Sequence, residues 1–123
     1  MSVNRVILIG NVGQEPEVRN TASGAAVAKF SVATNERWKD KSGELQERTE
    51  WHNIECWNKL AEVVQKYVTK GMQVYVEGSI HSETYDDAQG NRKYFTKVKA
   101  QSIQFLGKRG AEKEPGDDDE MGF

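Results

Sequence analysis

The sequence predicts a small all-β barrel interrupted by one helix, with a short linker and an acidic tail behind it. Three observations carry this. Apolar residues gather in five strand-like runs, each bounded by Gly, Pro, Asn or Asp. Only one stretch changes to a helical period. The charge is divided: residues 1–110 hold 16 Lys and Arg against 13 Asp and Glu, whereas residues 111–123 hold one Lys against six acids. The net charge of −2 therefore hides a mildly basic body joined to an acidic end.

Taken in order, Val3 to Val12 reads as a first strand with Val6-Ile7-Leu8-Ile9 as its buried centre. Gly10, Gly13 and Pro16 read as turn punctuation. Ala25 to Thr34 is a second strand, with Val27, Phe30 and Val32 as its apolar members. Lys39-Asp40-Lys41-Ser42-Gly43-Glu44 reads as a charged hairpin connection, and Gln46 to Trp57 as a long third strand. Over Lys59 to Lys70 the apolar residues Leu60, Val63, Val64, Tyr67 and Val68 line one helical face. Asn58 suits the N-cap and Gly71 the C′ position. Gln73 to Tyr85 and Lys93 to Leu106 are the last two strands, joined by the polar turn Asp86 to Asn91. The order β-β-β-α-β-β matches the five-stranded Greek-key barrel called the OB-fold, a frequent oligonucleotide binder. Fold does not fix function, so the site is argued separately. The domain reading is 1–106 barrel, 107–116 linker and 117–123 acidic tip.

Side chains alternate across a strand. In the third strand Ile54 and Cys56 mark the core side, with His52. Trp51, Asn53, Glu55 and Trp57 then share the other, polar face. Two indoles on such a face serve as platforms for stacked bases or as part of a subunit contact. Trp38 lies between Arg37 and Lys39 with no apolar neighbour, the setting of a stacking ring beside phosphate-binding charges. Tyr85 reads as a further ring at a hairpin rim, or as a cross-strand partner of Tyr94. Phe30, Tyr67 and Tyr75 read as core. The cations able to follow a phosphate backbone are Arg5, Arg19, Arg37, Lys39, Lys59, Lys70, Arg92, Lys93 and Lys97.

Catalytic and metal chemistry find no support in the pattern. Gly10-Asn11-Val12-Gly13 lacks the Lys-Ser/Thr of a phosphate loop, so its glycines read as turn residues. His52 and His81 have no paired acid or ligand spacing. One cysteine, Cys56, permits neither an intrachain disulfide nor a cysteine-based zinc site and fits a reducing cytoplasm. No nucleophile motif, signal segment or membrane-length apolar run is present, and no cofactor is expected. A nuclease on this fold would need clustered acids in the groove, and none is found.

The tail ends Asp117-Asp118-Asp119-Glu120-Met121-Gly122-Phe123. A terminal ring with a free carboxylate and a run of anions forms a plug for an apolar pocket rimmed by Lys or Arg.

Four segments together resemble the bacterial single-stranded DNA-binding proteins: Asn4 to Gly13 with Pro16-Glu17-Val18-Arg19; Trp38 to Lys41; Thr49 to His52 with Lys59 to Glu62; and Gly71 to Gly78. They cover most of residues 3–106. The resemblance implies base stacking on Trp38, Trp51, Trp57 and Tyr85, with Trp57 where the family often has Phe and Tyr85 where it often has Trp. It implies a homotetramer with His52 at a subunit interface. It also implies a cytoplasmic, nucleoid-associated binder of single-stranded DNA in replication, recombination and repair, whose tip recruits partner proteins. The sequence departs from the family at Gly122, which stands where Pro is usual. The linker is also shorter than is common and lacks the Gly/Gln-rich stretch, which bears on cooperativity along DNA.

Overall fold

A computed structural model of the chain describes residues 1–108. Six strands and one helix follow in the order β1 (Val6–Val12), β2 (Glu17–Asn20), β3 (Ala26–Lys39), β4 (Leu45–Trp57), α1 (Lys59–Tyr67), β5 (Met72–Asp86) and β6 (Arg92–Lys108). The ladder runs β1-β5-β6-β4-β3-β2, and β1 also pairs with β3 through Asn11↔Ala33 and Val12↔Val32. That second pairing closes a barrel of β1, β5, β6, β4 and β3, the five-stranded OB architecture. All pairings are antiparallel except β4 with β6, which meet in parallel at Ile54↔Val98 and Glu55↔Lys99.

The core follows the expected alternation in β3 and β4, but in β1 the expected buried centre fails, since Ile7 and Ile9 are exposed and Val6 and Leu8 only half-buried. Ala28, Phe30 and Val32 of β3 meet Ile54 and Cys56 of β4, Val74 and Val76 of β5, and Val98 and Ala100 of β6. The helix covers this core with Ala61, Val64 and the following Val68. Burial pushes the Cys56 thiol up to about 12, and the neighbouring Glu55 charge adds to the shift.

Several expectations change. The expected first strand is only half of a broken pair: a bend at residues 13–16 separates β1 from the short β2, and both pair with β3. Four residues with one half-buried Val carry too weak a pattern to mark a strand. The expected second strand continues five residues past Thr34, so Trp38, expected in a polar stretch beyond that strand, lies within β3. Gly10 lies inside β1 and not in a turn, whereas Gly13 opens the bend, and neither takes a left-handed conformation. A side chain at Gly10 would overlap the Ala33 carbonyl where β1 crosses β3, and one at Gly13 would overlap the Trp51 ring. The helix ends at Tyr67 with Val68 as its C-cap, so Gly71 (φ 89°) belongs to the following turn and is not C′. Asn58 stands at the N-cap, but its side chain makes no capping bond. Its φ of 56° turns the chain straight from β4 into α1. Tyr67 is exposed, because the buried stripe is narrower than expected and includes Ala61; its ring tilts against Phe105 at 5.8 Å. Tyr75 is half-buried on the outer side, its hydroxyl donating to Glu77 at 3.1 Å. Strand β6 runs two residues into the range read as linker. The remaining linker and the acidic tip lie outside the described residues.

Both long hairpins close with one device. Asp40 Oδ1 accepts from the backbone N–H of Ser42 and of Glu44, each at 2.9 Å, and Gly43 takes φ 86°. Asp87 Oδ1 accepts from the backbone N–H of Gln89 at 2.9 Å and of Asn91 at 2.8 Å, and Gly90 takes φ 83°. An aspartate two residues ahead of the bend thus holds each turn before its left-handed glycine. The strands leading into these turns, Asn35–Lys39 with Leu45–Thr49 and Ser82–Asp86 with Arg92–Thr96, project beyond the core as two-stranded ribbons.

Candidate nucleic-acid interface

Strand β4 sets the site, because its outward face carries Trp51, Asn53, Glu55 and Trp57 as the alternation requires. The cross-strand partners in β3 are Ala33, Ser31, Lys29 and Val27 in turn. Beyond β3, Arg19 of β2 stands opposite Val27, so Arg19, Val27 and Trp57 form one row. On the other side of β4 lies Lys99 of β6.

The two indoles are held differently. Trp51 is 57% exposed and rests against the bare backbone of Gly13. Trp57 is half-buried. Its Nε1–H donates to Glu55 Oε1 at 2.9 Å, and Lys99 Nζ lies 5.5 Å from its ring centroid. Glu55 is only 5% exposed. Its other oxygen accepts from Lys97 Nζ at 3.0 Å, and Lys97 also reaches Glu83 of β5 at 3.3 Å. Burial alone would raise the Glu55 pKa. The bonds from Trp57 and Lys97, with the charges of Lys97 and Lys29, outweigh it, and the carboxyl lies below its ordinary value. Burial likewise disfavours the Lys97 ammonium, but Glu55 and Glu83 reverse this and raise its pKa.

Through Lys97 the face continues onto the β5–β6 ribbon. Tyr85 stands opposite Lys93 there, Glu83 opposite Phe95, and His81 opposite Lys97, all on one side. Tyr94 stands opposite Thr84 on the other side, so Tyr85 and Tyr94 are not a cross-strand pair. Trp38, paired with Gln46, lies on the opposite face of the β3–β4 ribbon from Trp51. Trp51, Trp57 and Tyr85 therefore belong to one continuous outer face, and Trp38 reaches it only from the far side of a projecting ribbon.

The expected cations divide. Arg19, Arg37 and Lys39 share the parity of the Trp face on β2 and β3, and Lys93 shares that of Tyr85. Arg92 is on the reverse side of its ribbon. Arg5 binds Glu77 further along β5. Lys59 opens α1 and Lys70 follows it, so neither belongs to a strand of the Trp face. Arg19 pairs with Glu17 at 2.9 Å, Arg37 with Glu47 at 3.5 Å, Arg92 with Asp86 and Lys93 with Asp87, each at 3.9 Å. Such exposed pairs are worth roughly 0–1 kcal/mol, so the carboxylates hold these cations only weakly. His52 faces inward beside Val32, with Nε2 2.9 Å from Thr34 Oγ1.

Sequence reasoning missed Lys29, Lys99 and Phe95. The alternation of β6 would have placed Phe95, Lys97 and Lys99 together, but their meeting with β4 depends on a parallel pairing between distant strands that no local pattern reveals. Among the described residues no group of three or more His, Cys, Asp and Glu is placed to hold a metal ion. Nor is any described helix long and apolar enough to cross a membrane.

The structure is thus a closed OB barrel with indoles and lysines gathered on one outer face. The chain belongs to the Single-strand binding protein family, whose sequence model matches residues 3–106. This is a family of binding proteins and not of enzymes. It is 49% identical over 106 residues to single-stranded DNA-binding protein 1 of Chlorobaculum tepidum, across 85% of this chain and 65% of that relative. It is also similar to the solved Plasmodium falciparum SSB complex with ssDNA, with a TM-score of 0.81 and 35% identity, across 85% of this chain and 96% of that one.

Proposed function

We propose that the protein binds single-stranded DNA without reading its sequence, by stacking bases on Trp51, Trp57, Tyr85 and Trp38 and neutralising phosphates with the surrounding Lys and Arg. One observation carries the reading. Trp51 and Trp57 stand on the outward face of β4 with Lys29 and Lys99 beside them, although the same strand buries Ile54 and Cys56. Rings held open beside cations fit bases that are already unstacked. The family relatives named above are described by the same ligand.

The finer reading follows from the resemblance. The protein coats strands exposed in replication, recombination and repair, in the cytoplasm at the nucleoid. It works as a homotetramer with His52 near a subunit contact, and the exposed Ile7 and Ile9 of β1 offer apolar surface for such a contact. Asp117 to Phe123 recruit partner proteins.

Oligo(dT) titrated against duplex DNA at two salt concentrations, with light scattering for mass, tests this. Single strands bind far better than duplex, affinity falls as salt rises, and the mass is that of four chains. Equal affinity for duplex and single strand would overturn the ligand assignment. A monomeric mass at micromolar concentration would overturn the assembly. A pull-down with and without Phe123 tests the tip: equal capture of partners by both forms would reduce it to a solvated acidic end.

A further inference from the structure

A carboxylate at the centre of a polyanion-binding face needs a reason. Glu55 stands between Trp51 and Trp57, has Lys29 opposite it and Lys99 beside it, and is almost wholly buried. A negative charge there repels phosphate. A fully apolar residue at this position would leave Lys97 with Glu83 alone and the face more basic. What Glu55 does supply is an acceptor for the Trp57 indole N–H at 2.9 Å, on an oxygen distinct from the one that takes Lys97.

The geometry is that of a clamp. An indole on a strand can turn about its two side-chain torsions. The N–H bond to Glu55 fixes the edge of the ring, and Lys99 lies over the ring centroid. Lys97, bonded on its other side to Glu83 of β5, fixes the carboxylate in turn. The chain of contacts runs Glu83–Lys97–Glu55–Trp57 across three strands. Trp38 and Trp51 make no indole N–H bond to a side chain among the described residues.

We propose that Glu55 is a positioning residue for nucleic-acid binding: it holds the Trp57 ring in stacking orientation through the indole N–H, and Lys97 and Glu83 hold Glu55. This rests on the single-strand reading above. A Phe at position 57 would have no N–H, so the device acts only with Trp there. A ring fixed before binding loses less conformational freedom when a base stacks on it.

The test is a double-substitution cycle read by oligo(dT) titration on the full chain. Glu55→Val weakens binding by about threefold to tenfold, toward the low end of the coupling between residues in contact. Glu55→Gln keeps an acceptor and restores most of that loss. In a Trp57→Phe background, Glu55→Val costs less than about twofold. An equal loss from Glu55→Val in both backgrounds, or no loss in the first, would overturn the proposal. Indole N–H exchange by NMR on the unsubstituted protein gives a second reading that needs no variant to fold. The Trp57 N–H exchanges more slowly than those of Trp38 and Trp51, and equal rates would also overturn the clamp. If the unsubstituted protein fails to bind oligo(dT), the single-strand reading falls, while the exchange measurement still decides whether Trp57 is clamped.

Discussion

The barrel and its two ribbons are made of the same strands yet are held by different forces. In β3 the stretch Val27–Ala33 alternates or clusters buried residues, while Asn35–Lys39 of the same strand is exposed throughout. Strand β5 repeats this, with Val74, Val76 and Gly78 buried and Ile80 to Asp86 exposed. The barrel half rests on apolar burial. The ribbon half rests on ladder bonds, the two aspartate turns, and weak cross-strand pairs such as Arg37–Glu47 and Arg48–Glu36. An isolated two-stranded ribbon is marginal in water. The comparison therefore separates what holds the molecule together from what it uses to reach a ligand. Trp51 and Trp57 belong to the first half, and Trp38 and Tyr85 to the second.

Three experiments sharpen or break this division, taken from the largest effect to the smallest. Ile54→Ala, in the barrel, lowers unfolding free energy by about 2–5 kcal/mol because it leaves a cavity beside Phe30 and Val98. Denaturant titration checks this, and a cost below about 1 kcal/mol would mean that the barrel is not the stable half. Trp38→Ala, on the ribbon, weakens oligo(dT) binding by roughly 1–3 kcal/mol with stability unchanged. Binding and thermal melts on one sample decide it, and a clear loss of stability would tie the ribbon to the core.

The third experiment is a pH scan of thermal stability. The Glu55 pKa is lowered in the fold, so its contribution is complete above the ordinary value of 4.5 and is lost as pH falls through the folded value. The Lys97 pKa is raised, so its contribution is complete below 10.5 and is lost as pH rises through the folded value. Between these limits the pair gives a flat profile. Glu55→Gln lessens the acid-side slope, and an unchanged slope would place the acid sensitivity elsewhere, with the lowered pKa of Asp40 as the next candidate.

Much of this was legible in the sequence, and the failures share a cause. The period-2 pattern placed Ile54 and Cys56 inward and the two Trp outward, and the structure has them so. Element order was legible because each switch of period is local. The break between β1 and β2 was not, because Gly13 works through a ring 38 positions away in the chain, with no left-handed turn to mark it. The reach of β3 to Lys39 was hidden because a ribbon without a core has no apolar alternation to display. Lys29 and Lys99 carried no signal of their own, because only the β3–β4 register and the parallel β4–β6 pairing set them on either side of Glu55. Local chemistry was readable, and contacts made by closure of the barrel were not.

The lone thiol of Cys56 offers a clock for that closure. With its pKa pushed up to about 12 and no exposed surface, it is un-ionised at neutral pH and shielded from any reagent. Thiol-specific reagents therefore modify Cys56 only while β4 has left the core. When opening and reclosing are fast beside the reaction, the rate of labelling reports the free energy of opening; when they are slow, it reports the opening rate itself. The chain has one cysteine, so the signal comes from a single place. A ligand that grips both the barrel face and the ribbons slows that clock, and one held by the ribbons alone leaves it running.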